Sequence, residues 1–246
     1  MSGGTPGFRG AMRIKALVDR VGAASLLVLT APVLGVAMVA IRLEGGGDAI
    51  FVQERLGLHG ARFRLYKLRT MGPATNADGT PRSDAERLGA LGRLLRTSSV
   101  DELPQLINVL RGEMSLVGPR PLLVQYLERY SPRQARRHAV RPGMTGLVQV
   151  RGRNSLTWDD KFEWDVRYVE TRSFWLDLKI LALTLKVVLV RDGISAAGDA
   201  TMPEFLPNET NLSGIQEFRN SGISVVQNDG SPEVRSRGTT GGGKSP

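Results

Sequence analysis

The sequence predicts a mostly α-helical protein with one small β-hairpin and one membrane segment. Three observations carry this expectation. Val21 to Ile41 runs for 21 residues without a charge. Phe51 to Arg69 alternates as two short strands about a His59-Gly60 turn. The remainder carries helical patterning up to a second apolar run, Phe174 to Val190.

The first apolar run is long enough, at about 1.5 Å per residue, to cross a bilayer core as a straight helix. Arg20 and Arg42 bracket it. Pro32 lies in its middle and has no N–H for the carbonyl of Val28, so the helix should bend there, at a cost of about 3 kcal/mol. Arg9, Arg13, Lys15 and Arg20 precede the run and a basic domain succeeds it, so the positive-inside tendency draws both flanks to the cytoplasm. Kinked helices also span membranes. On physical grounds a spanning helix and a re-entrant one, broken at Pro32, both fit.

Gly45-Gly46-Gly47 separates this segment from the rest of the chain. The expected organisation is a basic segment and membrane helix over 1–44, a catalytic domain over 45–193, and an extension over 194–246, disordered from about 231. Within the domain, 72–84 reads as a loop, 85–96 and 102–111 as helices, 122–130 as a short helix, 141–154 as a loop with a short strand, and 159–168 as a helix. Phe174 to Val190 interrupts its apolar residues with Asp177, Lys179 and Lys186. That pattern suits an amphipathic helix lying at the membrane interface or one packed on the core.

Composition narrows the chemistry. Lys plus Arg number 33 against 24 for Asp plus Glu, a formal charge of +9. This favours an anionic partner without choosing among nucleic acid, membrane and phosphorylated small molecules. The chain has no cysteine, which excludes disulfides, thiolate catalysis and sulfur-ligated metals. With His59 and His138 the only histidines, a His-rich zinc site is excluded, and any metal would be held mainly by oxygen.

Four constellations concentrate reactive side chains. In Ser99-Val100-Asp101-Glu102-Leu103-Pro104, two carboxylates precede a helix. Ser99 and Glu102 have capping-box spacing, a purely structural reading. Pro104 instead favours a helix starting at Asp101 or Glu102, putting both acids at its positive end, where phosphate also binds and an ionised Asp can attack phosphorus. In Gly118-Pro119-Arg120-Pro121, two prolines fix the backbone around a guanidinium suited to phosphate oxygens, or simply around a solvated arginine. Lys67 and Arg69 share one face of a strand. Arg141 to Asn154 offers glycine turns and three arginines. No P-loop and no dinucleotide fingerprint is present.

Taken together these segments resemble the small monotopic phosphoglycosyl transferases, bacterial sugar transferases that start polyprenol-linked glycan assembly. The resemblance runs from about Arg13 to Gly193 and rests on ordered motifs. These are Phe51-x-Gln53-x-Arg55-x-Gly57, Lys67-x-Arg69-Thr70-Met71, Asp101-Glu102-Leu103-Pro104-Gln105, Ser115-Leu116-Val117-Gly118-Pro119-Arg120-Pro121, Arg141-Pro142-Gly143-x-Thr145-Gly146, and the series Lys161, Asp165, Tyr168, Ser173, Asp177. Leu68 stands where the family usually has Phe, and Ala31 precedes Pro32 where it often has serine.

The resemblance implies that Asp101 is the nucleophile, with Glu102 beside it in an acidic dyad and in contact with Mg²⁺. It implies a uridine-diphosphate sugar as donor, undecaprenyl phosphate as acceptor, and a covalent aspartyl-phosphosugar intermediate with release of uridine monophosphate. Lys67, Arg69, Arg120, Gln149 and Arg151 become the candidates for phosphate and nucleotide contacts. It also implies that the membrane helix re-enters at Pro32, placing the protein monotopically on the cytoplasmic face of a bacterial membrane, with lipid as a partner and no nucleic acid. A nucleic-acid-binding protein would explain the charge but not the apolar segment. A membrane-anchored scaffold would explain the segment but not the acidic dyad among arginines.

Overall fold

A computed structural model describes residues 6–45, 47–76, 78–152, 156–190 and 204–206. The expected disordered tail, from about 231, lies outside the described residues. The protein is mostly helical with small β elements. Its first helix, α1 (Pro6–Gly45), runs unbroken through Pro32, so the break expected there does not occur: the proline forgoes one hydrogen bond without ending the helix. Its buried residues fall on one stripe: Asp19, Ala23, Leu34, Ala37 and Ile41, with Leu27 partly buried between them. Spacings of three, four and seven put these side chains on one face. The other face is apolar too and stays exposed, with Leu17, Val21, Val28, Val36 and Leu43 outward. The sequence therefore shows no polar contrast around this helix.

The hairpin forms as expected. Strand β1 (Ile50–Leu56) pairs antiparallel with β2 (Arg62–Leu68), from Ile50 opposite Leu68 to Leu56 opposite Arg62. The connection contains His59 and Gly60 at φ of 55° and 77°, left-handed values that glycine adopts without strain. The predicted helix over 85–96 is two pieces, α2 (Asp84–Arg87) and α3 (Ala90–Thr97), divided at Leu88-Gly89. Ser83 caps the first with a reciprocal capping box to Glu86.

The next segment departs from expectation. Helix α4 covers only Gln105–Arg111, with Pro104 as its N-cap. Asp101 and Glu102 lie upstream in a 3₁₀ turn, Val100–Glu102, entered through Ser99 at φ 56°. The acids thus precede α4 rather than standing in its first turn, and no Ser99 side-chain cap forms. Asn108 ties α4 to the hairpin. It is fully buried, donates to the carbonyl of Arg64 at 2.7 Å and accepts from the amide of Tyr66 at 3.2 Å.

Two three-residue strands, β3 (Ser115–Val117) and β4 (Gly143–Thr145), pair in parallel, Ser115 opposite Gly143 and Val117 opposite Thr145. Residues 122–130 form a 3₁₀ helix at Val124–Arg129 rather than an α-helix. After α5 (Pro132–Ala135) a 3₁₀ turn spans Arg136–Ala139. The glycine-punctuated stretch 141–154 holds a helix that sequence patterning does not predict, α6 (Leu147–Arg151). Helices α7 (Trp158–Thr171) and α8 (Phe174–Val190) complete the described fold.

One core joins α1, the hairpin, α4, the β3–β4 pair, α7 and α8, through Ala23, Phe63, Leu65, Leu106, Val109, Val117, Tyr168 and Ile180. A polar network fixes α1 and α8 to it. Lys15 Nζ donates to Asp177 at 2.6 Å, Ser115 Oγ donates to Asp19 at 2.6 Å, and the Tyr168 hydroxyl donates to Asp177 at 2.7 Å. Burial raises the Tyr168 phenol and the neighbouring Asp177 carboxylate raises it further, so it stays a donor. Around Ile180 and Asp177, α8 packs on the core, while Phe174, Trp175, Leu178 and Leu185 remain exposed.

A second aromatic cluster unites Leu56, Tyr126, Tyr130, Phe162 and Phe205. Phe205 belongs to the 194–246 extension, where the sequence offers no pattern. It is almost fully buried, and its amide donates to the Tyr126 hydroxyl at 3.1 Å. Arg129 and Gln125 both donate to Glu204 beside it.

Candidate active site

The Asp101-Glu102 turn faces β2. Glu102 Oε1 accepts from Lys67 Nζ at 2.9 Å and from Arg120 Nη2 at 2.7 Å. Burial alone would raise the Glu102 pKa, but the Arg120 guanidinium and the Lys67 ammonium outweigh it and hold the carboxyl far below its ordinary range. The Arg120 pKa is raised in return, chiefly by Glu102.

Asp101 is placed differently. It is 7% exposed, and Lys67 Nζ is its only ion-pair partner among the described residues, at 3.9 Å. Burial raises its pKa, Lys67 opposes that, and the adjacent Glu102 charge adds to the rise. Arg120 and Arg96 oppose it more weakly. Glu102 thus gathers the cations, and the oxygens of Asp101 are left without a hydrogen bond among the described residues. A carboxylate so placed keeps its lone pairs for an incoming electrophile.

Arg120 is held by main chain on both sides. Gly118 N donates to Thr145 O at 2.8 Å, Gly143 N to Pro119 O at 2.9 Å, and Ser115 N to Pro142 O at 2.8 Å. The two motifs cross so closely that a Cβ on Gly143 would lie 2.0 Å from Gly118 N. Only glycine permits that approach. Below this crossing, Arg137 Nη2 donates to the carbonyl of Arg120 at 2.7 Å. Arg137 also donates twice to Asp165 Oδ2, at 3.0 and 2.7 Å, in an ion pair exposed by only 2% and 6%. Burial opposes the Arg137 charge but its partners, Asp165 foremost, outweigh it and raise the Arg137 pKa, whereas burial raises the Asp165 pKa and Arg137 only partly offsets that. Arg137 draws no notice by its sequence neighbours, because its partners lie 17 and 28 residues away.

Of the other sequence candidates, Arg69 comes directly after the last residue of β2, is exposed and makes no ion pair among the described residues. Its amide donates to Ala49 O at 2.8 Å. Gln149 is buried in α6, close to Gly146. The Arg151 guanidinium stacks 4.2 Å from the Trp164 ring centre, and Arg167 lies over the same ring at 5.0 Å. Lys67 and Arg120 therefore join the dyad directly, while no contact of Arg69, Gln149 or Arg151 described above reaches it. Arg96, on α3, bonds Thr70 at 3.0 Å and adds its charge near Asp101. His138 is buried and its pKa is lowered to about 3, first by burial and then by Arg137. The neutral ring lies 3.2 Å from Gly57 O through Nδ1, so Nδ1 is the donor.

A hard cation fits this donor set in part. Glu102 receives both bonds on Oε1, which leaves Oε2, and Asp101 adds a second carboxylate. No cluster of three or more acidic, histidine or cysteine ligands exists among the described residues. Two carboxylates suit a magnesium-like ion that keeps waters and completes its shell with substrate phosphate.

Comparison with known proteins identifies the family. Residues 10–191 match the family model described as bacterial sugar transferase. The uncharacterized sugar transferase EpsL of Bacillus subtilis is 49% identical over 194 residues, covering 79% of this chain and 96% of its own. The UDP-glucose:undecaprenyl-phosphate glucose-1-phosphate transferase of Caulobacter vibrioides is 45% identical over 190 residues, 72% of this chain and 70% of its own. The undecaprenyl-phosphate galactose phosphotransferase of Salmonella typhimurium is 39% identical over 197 residues, of which this chain spans only 41% of the relative's length.

Proposed function

Because the chain belongs to the bacterial sugar transferase family, we propose that it transfers a sugar 1-phosphate from a UDP-sugar to undecaprenyl phosphate. Relatives named for this reaction with glucose and with galactose support the reading. One observation carries the mechanism: a buried carboxylate, Asp101, without a hydrogen bond among the described residues, beside a second carboxylate that binds two cations.

Asp101 attacks the β-phosphorus of the donor. The bond to the α–β bridging oxygen breaks, uridine monophosphate leaves with that electron pair, and an aspartyl phosphosugar remains. A phosphate oxygen of the polyprenyl phosphate then attacks the same phosphorus. The acyl phosphate bond breaks, Asp101 recovers its carboxylate, and the product is a polyprenyl diphosphate sugar. Lys67 and Arg120, held by Glu102, stand where negative charge builds on the transferring group. Arg69, Gln149 and Arg151 are assigned to the outer nucleotide contacts. Magnesium, held by Glu102 and Asp101, would spread the diphosphate charge when bound.

The membrane disposition is inferred from α1. Its N-terminal half meets Ser115 and Leu116, and its C-terminal half meets Leu68 and Leu95, so both ends engage one globular body. A helix crossing the bilayer would carry one end away from that body. We infer that α1, although a single helix, bends at Pro32 and so takes a re-entrant course on the cytoplasmic face, deepest there, with α8 at the interface. The hydroxyls of Ser25 and Thr30 bond back to Val21 O and Leu26 O at 3.0 and 2.7 Å, which suits a lipid surround.

The test is a scan of UDP-sugars with the purified chain in lipid, with and without undecaprenyl phosphate. At least one donor should release uridine monophosphate, with sustained turnover only when acceptor is present. Absence of release from every donor would remove the reading.

A further inference from the structure

Arg55, at the end of β1, has no place in the mechanism above. Its backbone pairs with the segment that leaves Arg120: Arg55 bridges Leu123, and Leu56 N donates to Leu122 O at 3.2 Å. This register sets the end of β1 against the segment that follows Arg120, and the Arg120 charge acts on the Arg55 guanidinium. Arg55 Nη2 donates to Gln53 Oε1 at 2.6 Å, while Nε is buried without a hydrogen-bond partner among the described residues. No carboxylate pairs with Arg55 among the described residues, and its aromatic neighbours are Tyr126 and Tyr130.

This is a costly arrangement. Burial lowers the Arg55 pKa to about 10, and the charge of Arg120 lowers it too. A desolvated guanidinium normally has an anion on its fork, and two guanidiniums normally approach around a shared one. Arg120 spends Nη2 on Glu102 and keeps 45% of its side chain exposed, so it retains donors for a second anion.

We propose that Arg55 and Arg120 together form a binding site for a phosphate oxyanion. The site rests on the proposed reaction for its meaning. Two phosphates meet its chemistry, the α-phosphate of the nucleotide and the phosphate monoester of the lipid acceptor, and both are donor-hungry groups that Arg reads with paired N–H bonds.

The test is isothermal titration of the full chain in lipid nanodiscs with uridine monophosphate and, separately, with undecaprenyl phosphate. Arg55→Gln should weaken at least one ligand by about tenfold or more, the loss of a charge-assisted hydrogen bond. Loss for the nucleotide assigns the site to the donor, and loss for the lipid assigns it to the acceptor. Both ligands binding Arg55→Gln within about twofold of the parent would overturn the proposal. Should that variant not fold, Arg55→Lys keeps the charge and removes the Nε donor, and the same two outcomes apply. The reaction itself fails separately: an Arg55-dependent affinity would persist in a chain that released uridine monophosphate from no donor.

Discussion

Arg137 donates to the main-chain carbonyl of Arg120 at 2.7 Å while its guanidinium is clamped by a buried Asp165. A buried charge thus fixes the main chain of the arginine that pairs with Glu102. Strand β3, the Gly118–Gly143 crossing and two prolines fix the same residue from the other side.

Asp165→Ala leaves the Arg137 charge buried and unpaired. Thermal or denaturant unfolding in lipid should show a loss of about 3–5 kcal/mol, the usual effect of breaking a buried pair from one side. A loss under about 1 kcal/mol, the range of surface pairs, would mean that the pair is solvated.

Phe205 fills the cluster of Tyr126, Tyr130, Trp158 and Phe162, with ring centres 4.9 to 6.1 Å away. Phe205→Ala should destabilise the protein by about 3–5 kcal/mol. An unfolding midpoint equal to the parent's would show that the segment does not dock in solution.

Activity should fall on the acid side as Asp101 takes up a proton. Burial raises its pKa above the ordinary carboxylate value, and Lys67 partly opposes this. Replacing Lys67 by Met removes the opposing charge, so the acid limb of kcat/KM should move to higher pH, besides any loss of rate. A limb that stays in place or moves down would dissociate Lys67 from Asp101.

The same shift has a stability consequence. A carboxyl whose folded pKa is raised binds its proton more tightly in the folded state, so its ionised form opposes folding at neutral pH. Asp101→Asn should therefore unfold no earlier than the parent at pH 7. Any gain in its midpoint should shrink as pH falls through the folded pKa of Asp101 and vanish below the unfolded one. A variant less stable than the parent at pH 7 would contradict the sign.

Much of this arrangement is legible in the sequence. The β1–β2 alternation and its His59-Gly60 turn announce the hairpin, and Pro119-Arg120-Pro121 announces a fixed arginine. The acids stand out, but their setting does not: Pro104 caps α4 rather than lying within it, so charge near Asp101 comes from side chains instead of a helix end. The β3–β4 pair is hidden because each strand has three residues and the pairing is long-range. Helix α6 is hidden by the glycines at both ends, Gly146 and Gly152. Arg55 is visible as a motif letter and Arg137 not at all, because burial, not local pattern, distinguishes them. The stripe of α1 is invisible because its two faces are apolar for different reasons: one meets protein, the other remains exposed.

The most direct measurement is to incubate the chain with its UDP-sugar in the absence of acceptor, quench, digest and map the adduct by mass spectrometry. The account predicts one sugar phosphate, on the peptide containing Asp101 and localised to that side chain, absent in Asp101→Asn. An adduct on Glu102 or any other residue, or turnover without any adduct, would contradict it.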